Sequence, residues 1–306
     1  MTPLQWFPIH LHLMPIGLSN LGASGAVLAV EASCFRKRQQ PGMPHVVQIE
    51  LLLEELARAR NSMPKWFVPD GQRFSLALEG TPEMAFEEYL DYLPAISSAR
   101  VRLIQPYHQV CPGFMADTSR FCSSGRAERL LKRVVDEGMI VDLSHMPEAL
   151  LRYCAERIEG PVLVSHGVLE EYLEWSVVRR PNAHPAQVLR DLRPALVGIP
   201  FVDDIVSWRA TPKSAERDTS ILLVARHILA MADVVGVEHV ALGPDYFDYD
   251  CWPDPEAEIG CVKGLETADG LLQLAKELLR LGFAEADVKR VFCANAERVL
   301  IKGDAS

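Results

Sequence analysis

Seven residues whose side chains can bind metal or move protons stand at or just after the ends of short apolar runs that are predicted to be strands. They are His10, His12, Glu79, His108, His145, His166 and Asp245. His10 and His12 are two positions apart, so on a strand both side chains point to the same side and can bind one cation. A single histidine is more often structural than a ligand, but five of the nine histidines lie at predicted strand ends. Together these residues predict a metal site.

The types of these residues indicate which metal and which reaction to expect. Imidazole and carboxylate ligands suit Zn²⁺, and they also suit Mn²⁺, Fe²⁺ or Co²⁺. The two oxygens of Glu79 can bridge two ions about 3.5–4 Å apart, which allows a shared hydroxide nucleophile at neutral pH. Asp245 can then take a proton from that water and pass it to a leaving amine. This is the chemistry of a metal-dependent hydrolase.

The elements that must position these residues alternate regularly along the chain. Eight short apolar runs are predicted as strands: 7–13, 26–30, 74–78, 101–105, 139–143, 162–165, 195–199 and 240–243. Helical periodicity is found at 45–60, 83–92, 124–137, 147–158, 185–193, 218–235, 267–281 and 284–300. This alternation predicts an α/β fold, a (β/α)8 TIM barrel with an extra C-terminal helix, in which residues 1–306 form a single domain. All strand C-terminal ends of a barrel open onto one face, so the seven residues can converge there.

Composition excludes several other classes of protein. The 306 residues are 49% hydrophobic and 24% charged, which is typical of a soluble globular protein. The formal net charge of −10 argues against nucleic acid as a partner, and there is no apolar run of about 18 residues that would predict a membrane span. The seven cysteines include no Cys-x-x-Cys pair, and the N-terminus lacks the basic region of a signal peptide. We therefore expect a cytoplasmic protein with no membrane partner.

Several motifs resemble the membrane (renal) dipeptidase family, peptidase family M19, whose members are zinc peptidases with an amidohydrolase-like barrel. Glu79-Gly80 resembles the family's Glu-Gly, and residues 101–108 (VRLIQPYH) resemble its Met-Arg-Tyr-Leu-Thr-Leu-Thr-His segment. Residues 141–145 (VDLSH) and 161–166 (PVLVSH) resemble its two later histidine motifs. The region from Gly264 to Val299 resembles the family's C-terminal helices.

The resemblance implies roles for individual residues. It implies two zinc ions, one held by His10, His12 and Glu79 and the other by Glu79, His145 and His166. It implies that His108 contacts the substrate and that Asp245 is the proton shuttle. Together with the bridging Glu79, these would be the catalytic residues. Arg180, or else Arg179, would bind a substrate carboxylate, because the planar guanidinium binds carboxylate through two hydrogen bonds. The substrate would be a dipeptide-like small molecule, and the protein a homodimer.

Two departures from the family pattern leave alternatives open. His12 stands where the family has Asp, which removes a negative charge from the first metal site. Residues 243–249 (GPDYFDY) replace the family's Gly-Asp-Phe-Asp-Gly run. The first hypothesis is a hydrolase that cleaves the amide bond of a dipeptide or a similar amino-acid conjugate. The alternatives are an amidohydrolase that acts on another small amide or ester metabolite, and a non-catalytic barrel with an altered metal site.

Overall fold

The protein is described here from a computed structural model. It describes residues 11–12, 26–31, 54, 74–81, 84–99, 101–108, 113–158, 160–173, 182–206, 220–245, 260–265 and 268–302. Only the backbone is described at 11–12, 26–31, 74–75, 204 and 268–269.

A parallel sheet is the centre of the fold. The strands, in chain order, are β1 Leu11–His12, β2 Ala26–Glu31, β3 Phe74–Glu79, β4 Val101–Gln105, β5 Ile140–Asp142, β6 Val162–Val164, β7 Val168–Leu169, β8 Ala183–His184, β9 Leu196–Ile199 and β10 Val240–Leu242. Eight of them form one sheet in the order β1-β2-β3-β4-β5-β6-β9-β10, and β7 pairs with β8 separately. Every pairing in both sheets is parallel. Eight parallel strands in sequence order are what a (β/α)8 barrel requires.

Helices follow most of these strands and cover the sheet. They are α1 Phe86–Ser98, α2 Thr118–Ser123, α3 Arg126–Asp136, α4 Glu148–Arg157, α5 Ala186–Leu192, α6 Asp203–Val206, α7 Ile221–Val235, α8 Ala268–Arg280 and α9 Glu285–Lys289. The last continues as two π-helical turns, Arg290–Ala294 and Glu297–Ile301. Helix α3 shows why these segments are helical: Ala127, Leu130, Leu131 and Val134 are spaced at helical period and all are buried.

The two faces of the sheet bury separate apolar clusters. Residues on one face, such as Leu78 and Val141, pack with the surrounding helices in the larger cluster. The alternate residues form a smaller cluster with the C-terminal helical turns, and the strands contribute Ala77, Leu103, Ile140, Leu163, Leu196 and Ala241 to it. Because side chains alternate along a strand, this smaller cluster lies on the opposite face of the sheet. A sheet that is buried on both faces, with residues from six of its strands meeting in an inner core, is typical of the interior of a barrel.

The structure confirms the predicted barrel and most of its boundaries. Each of the eight predicted strands overlaps a strand of the large sheet, and the predicted C-terminal helix is present. Of the first predicted strand, 7–13, only Leu11–His12 are among the described residues. The prediction of a helix at 83–92 was wrong in both ends, because α1 begins at Phe86 and runs through Pro94 to Ser98. Leu93 and Ile96 are buried beyond the predicted end, so their packing outweighs the hydrogen bond that Pro94 cannot donate. The predicted helix at 45–60 lies outside the described residues except for Glu54. In the described segments there is no helix with the length and hydropathy of a membrane span.

Candidate active site

The inner face of the sheet changes from apolar to polar at the strand C-terminal ends. Two positions beyond the inner apolar residues of β3, β4 and β5, the same face carries Glu79, Gln105 and Asp142. Ser165, directly after β6, has the same parity. All four side chains are at most 3% exposed, so each polar group needs a partner inside the protein. The site is built from those partners.

Glu79 is the carboxylate around which the nearby imidazoles gather. Its Oε1 atom lies 3.2 Å from Nε2 of His145 and 4.0 Å from Nε2 of His108. The Gln105 side chain donates a hydrogen bond from Nε2 to the same oxygen at 2.9 Å. The rings of His108 and His145 are 4.4 Å apart between centroids. Glu79 is therefore held in a fixed orientation between two histidines and an amide.

His145 is held by an unusual backbone conformation and by Asn182. The φ angle of His145 is 63° and that of Asn182 is 65°, in the left-handed region where only Gly, Asn and Asp are common. The His145 backbone N–H donates to Oδ1 of Asn182 at 2.6 Å, and Nδ2 of Asn182 lies 3.3 Å from Nε2 of His145. The side chain of His145 thus leaves the strand end in a direction that a normal β conformation would not give.

His166 completes a group of three candidate ligands. Its Nε2 atom lies 2.8 Å from Nε2 of His145, and its Nδ1 atom lies 3.0 Å from Oγ of Ser165. One ligand atom each from Glu79, His145 and His166 can be chosen so that all three lie within 4.8 Å of one another. Residues from three different strand ends therefore converge on one point, as the barrel predicts.

Asp245 approaches the same point from the end of β10. Its Oδ2 atom lies 4.0 Å from Nε2 of His166, and its backbone also has a positive φ of 55°. Gly243, two residues earlier, is required by close packing: a Cβ atom there would lie 1.8 Å from the carbonyl oxygen of Ser165. Gly198 on β9 faces the same carbonyl, with a corresponding distance of 1.9 Å. These two glycines make room for the backbone that carries His166.

The donor set fits a divalent first-row cation. Two ligands bound about 2.1 Å from a tetrahedral ion are about 3.4 Å apart. The distances of 2.8 Å between the two histidine Nε2 atoms and 3.2 Å between Glu79 and His145 are within several tenths of an ångström of this value. A carboxylate with two imidazoles is a ligand set typical of zinc and related metals. The residues that would hold the ion are Glu79, His145 and His166.

A fourth histidine, His184, also lies close to the site, which the sequence did not predict. His184 lies on β8, and a Cβ atom on Gly167 would be 2.9 Å from its ring. This strand has only two residues, too few for a sequence pattern to reveal it. Burial and, to a smaller extent, electrostatic repulsion from His145 together lower the pKa of His184 to about 4. His184 is therefore a neutral, fully buried ring close to the site.

The structure brings together five of the nine residues predicted from the sequence. They are Glu79, His108, His145, His166 and Asp245. His10, Arg179 and Arg180 lie outside the described residues, and His12 is described only as the backbone end of β1. We did not predict Gln105, Asn182, Asp142, Ser144 or Ser165 as part of the site. For Asp142, Ser144 and Ser165 the available signal was their place in the DLSH and SH strings, shortly before His145 and His166; the sequence offered no comparable signal for Asn182.

Comparisons with known proteins agree with this geometry. The membrane dipeptidase (peptidase family M19) family matches residues 117–305, which is more than half of the chain. Dipeptidase verJ of Clonostachys rogersoniana is 28% identical over 171 residues, covering 56% of this chain and 39% of that protein. Dipeptidase ataJ of Aspergillus terreus is 26% identical over 165 residues, covering 53% of this chain and 36% of that protein. The chain thus spans less than half the length of these two relatives.

Solved structures share the fold over almost the whole chain. The probable dipeptidase PvdM from Pseudomonas aeruginosa has a TM-score of 0.72 at 12% identity and covers 98% of this chain and 96% of its own. A metallo peptidase from Rhodobacter sphaeroides, liganded with a phosphinate mimic of the dipeptide L-Ala-D-Ala, has a TM-score of 0.67 at 18% identity, covering 97% and 99%. The fold, the motifs around its strand ends and the match over residues 117–305 agree, and we conclude that the chain belongs to the membrane dipeptidase family, peptidase family M19.

Proposed function

We propose that this protein is a metal-dependent hydrolase that cleaves the amide bond of a dipeptide or a similar small amino-acid conjugate. The observation that carries the proposal is the convergence of Glu79, His145 and His166, whose ligand atoms lie within 4.8 Å of one another in a member of the dipeptidase family. A divalent cation held there supplies Lewis acidity, which polarises the scissile carbonyl and makes water more acidic. The remaining steps belong to side chains of the protein.

We propose zinc as the metal, with a second ion held by His10, His12 and Glu79. Support comes from the donor types and from the register of the sheet. His12 ends β1 and pairs with Ala29, which in turn pairs with Ala77 on β3, two positions before Glu79. The end of β1 thus lies near the same C-terminal edge of the sheet as Glu79, two strands away. A carboxylate in this position can serve two ions, because each oxygen can bind one.

Of the five residues that converge at the site, His108 and Asp245 are the most exposed to solvent. The side chains of His108 and Asp245 are 14% and 10% exposed, whereas that of His166 is fully buried. We assign His108 to contact with the substrate, since its ring lies against His145 and can donate a hydrogen bond to the polarised carbonyl. Asp245 accepts the proton of the attacking water and delivers it to the leaving amine, so that one water and one amide give an acid and an amine.

The substrate class follows from the family and from the relatives. The two curated relatives are dipeptidases, and the Rhodobacter sphaeroides enzyme was solved with a mimic of a dipeptide. A free substrate carboxylate would be bound by Arg180 or Arg179, which lie outside the described residues. The alternative, another small amide or ester, remains because His12 replaces the family's Asp. A cytoplasmic location, a homodimer and the absence of nucleic-acid and membrane partners stay predictions from the sequence.

Hydrolysis of a dipeptide panel by metal-loaded protein tests this proposal. The panel should include N-acyl amino-acid amides, which keep the scissile amide but lack the free carboxylate. We expect dipeptides to be cleaved and the carboxylate-free compounds to be poor substrates. Cleavage of the carboxylate-free compounds alone would favour the alternative, and cleavage of neither by protein that carries metal would contradict the proposal.

Two variants separate metal binding from proton transfer. Glu79→Gln should lose both metal and hydrolysis, because it removes the charged ligand that the histidines surround. Asp245→Asn should keep its metal and lose about 100-fold or more in kcat, because an amide cannot accept the proton. Glu87→Gln is the matched control, since Glu87 is an exposed carboxylate that pairs with Arg129 on the outer helices. Equal loss of metal in the Glu79 and Asp245 variants would refute the role of Asp245.

A further inference from the structure

A chain of buried hydrogen bonds leads from His166 to a carboxylate behind it. His166 Nδ1 lies 3.0 Å from Oγ of Ser165, which lies 3.2 Å from Oγ of Ser144. The Ser144 hydroxyl in turn donates to Oδ1 of Asp142 at 2.8 Å. The three residues behind His166 and His166 itself are all fully buried. Nothing in the proposed reaction uses Asp142, Ser144 or Ser165 directly.

The carboxylate determines the direction of every hydrogen in this chain. Asp142 Oδ1 accepts three hydrogen bonds, from the backbone N–H groups of Ser144 and Ser165 at 3.0 Å each and from the Ser144 hydroxyl. A carboxylate oxygen with these neighbours can only accept, so the single hydroxyl hydrogen of Ser144 points to Asp142. Ser144 Oγ is then an acceptor toward Ser165, and it also accepts from the backbone N–H of His166 at 3.2 Å.

The same reasoning continues to the imidazole. Since Ser144 Oγ has no second hydrogen to give, the donor in its hydrogen bond with Ser165 is the Ser165 hydroxyl, and in the hydrogen bond between Ser165 Oγ and His166 the donor is then Nδ1. Nδ1 therefore carries the hydrogen, and Nε2 carries the lone pair. Nε2 is the atom that faces His145, at 2.8 Å, and Asp245, at 4.0 Å.

We propose that Asp142, Ser144 and Ser165 are positioning residues that fix His166 in the tautomer with hydrogen on Nδ1, so that Nε2 is ready to bind metal. The proposal rests on the proposed function in that it takes His166 as a metal ligand. Ligating histidines commonly donate their second ring N–H to a carboxylate or carbonyl, and loss of that partner weakens metal binding by about 10–100-fold. Here two hydroxyls extend the connection between ring and carboxylate.

Metal affinity of the Ser165→Ala variant tests the proposal, measured by Zn²⁺ titration against a chelator of known affinity. We expect a loss of about 10–100-fold, because the Nδ1 hydrogen no longer has an acceptor. Asp142→Asn should stay close to the natural protein, since its amide oxygen can still accept from the three donors at Oδ1. Ser97→Ala is the matched control: its hydroxyl donates to the Glu137 carbonyl at 2.9 Å, far from the strand ends. Unchanged affinity of a folded Ser165→Ala protein would overturn the proposal.

The tautomer itself can be observed without metal and without activity. In metal-free protein labelled with ¹⁵N-histidine, at a pH where the rings are neutral, the His166 signals should show hydrogen on Nδ1. The signals are assigned by their loss in His166→Gln. Ser165→Ala should shift them toward a mixture of tautomers, while Asp142→Asn should not. Hydrogen on Nε2 in the natural protein would overturn the proposal, even if Ser165→Ala fails to fold.

These two readouts separate the failure of this proposal from failure of the proposed function. If the natural protein binds zinc and has the Nδ1 tautomer but cleaves no dipeptide, the positioning role stands and the substrate assignment falls. If the natural protein binds zinc and Ser165→Ala binds it equally well with an unchanged tautomer, the positioning role falls while hydrolysis is unaffected.

Discussion

Gly198→Ala should lower both stability and metal affinity, although Gly198 is not itself a candidate metal ligand. A Cβ atom at residue 198 would lie 1.9 Å from the carbonyl oxygen of Ser165 and 3.0 Å from Cα of Gly243. Non-bonded heavy atoms approach no closer than about 3 Å without strong repulsion, so the backbone at Ser165 must move by about 1 Å or more. The obstacle is backbone rather than the end of a flexible side chain. The strain therefore cannot be relieved by a change of rotamer.

The magnitude follows from the cost of overpacking and from what the displaced backbone carries. Insertion of a methyl group into a packed interior costs about 1–3 kcal/mol, and the backbone contact places this case at about 3 kcal/mol. The displaced residue holds Nδ1 of His166 through its hydroxyl. We therefore expect metal affinity to fall by about 10-fold or more as well.

Urea denaturation of metal-free protein measures the first effect, and zinc titration against a chelator measures the second. The matched control is Gly125→Ala, where a Cβ atom meets no atom of the described part of the chain within 4 Å but the φ angle is +74°. That variant should lose about 1–2 kcal/mol from its left-handed backbone and keep full metal affinity. A Gly198→Ala protein within about 0.5 kcal/mol of the natural protein, with unchanged affinity, would refute the reasoning.

Three further predictions concern buried polar groups near and away from the site. Tyr89 is fully buried and its hydroxyl has no hydrogen-bond partner among the residues that the structure describes, so Tyr89→Phe should leave stability unchanged or raise it by about 1 kcal/mol in urea denaturation. The pKa of His184 is lowered to about 4, so below pH 6.5 the folded protein binds fewer protons at this residue than the unfolded chain does. The contribution of His184 to the free energy of unfolding is therefore complete above pH 6.5 and should fall by about 2–3 kcal/mol by pH 4.5. A His184→Leu variant with the same loss of stability in acid would contradict this prediction. Asn182→Gly keeps the left-handed backbone but removes the acceptor of the His145 N–H, so it should lose about 1–3 kcal/mol and bind zinc more weakly in the chelator titration.

The strands could be predicted because their sequences satisfy a simple physical requirement. A strand buried on both faces needs a run of apolar residues, and polar side chains are tolerated only where it ends, which is where Glu79 stands. The histidines that follow strands could therefore be assigned from the sequence alone to the face of the barrel at the strand C-terminal ends. The same logic failed for α1, since Pro94 predicts a helix end and packing of its neighbours overrides it.

The supporting residues could not be predicted because their roles depend on distances between separate strands. Asn182 is 37 residues from His145, and Ser144 is 21 from Ser165, yet each pair forms a direct hydrogen bond. Local sequence also does not reveal that Gly198 faces a carbonyl on a neighbouring strand end. The residue types suggested the ligands, and the network that orients them became visible only when the register of the sheet was known.

Metal content per chain tests the central claim most directly, measured by mass spectrometry on protein purified without chelator or added metal. The account predicts at least one equivalent of zinc or a similar divalent metal in the natural protein and loss of that metal in Glu79→Gln. Two equivalents would agree with the second ion proposed at His10 and His12. Absence of metal in the natural protein, together with no uptake when zinc is titrated into it, would contradict the account.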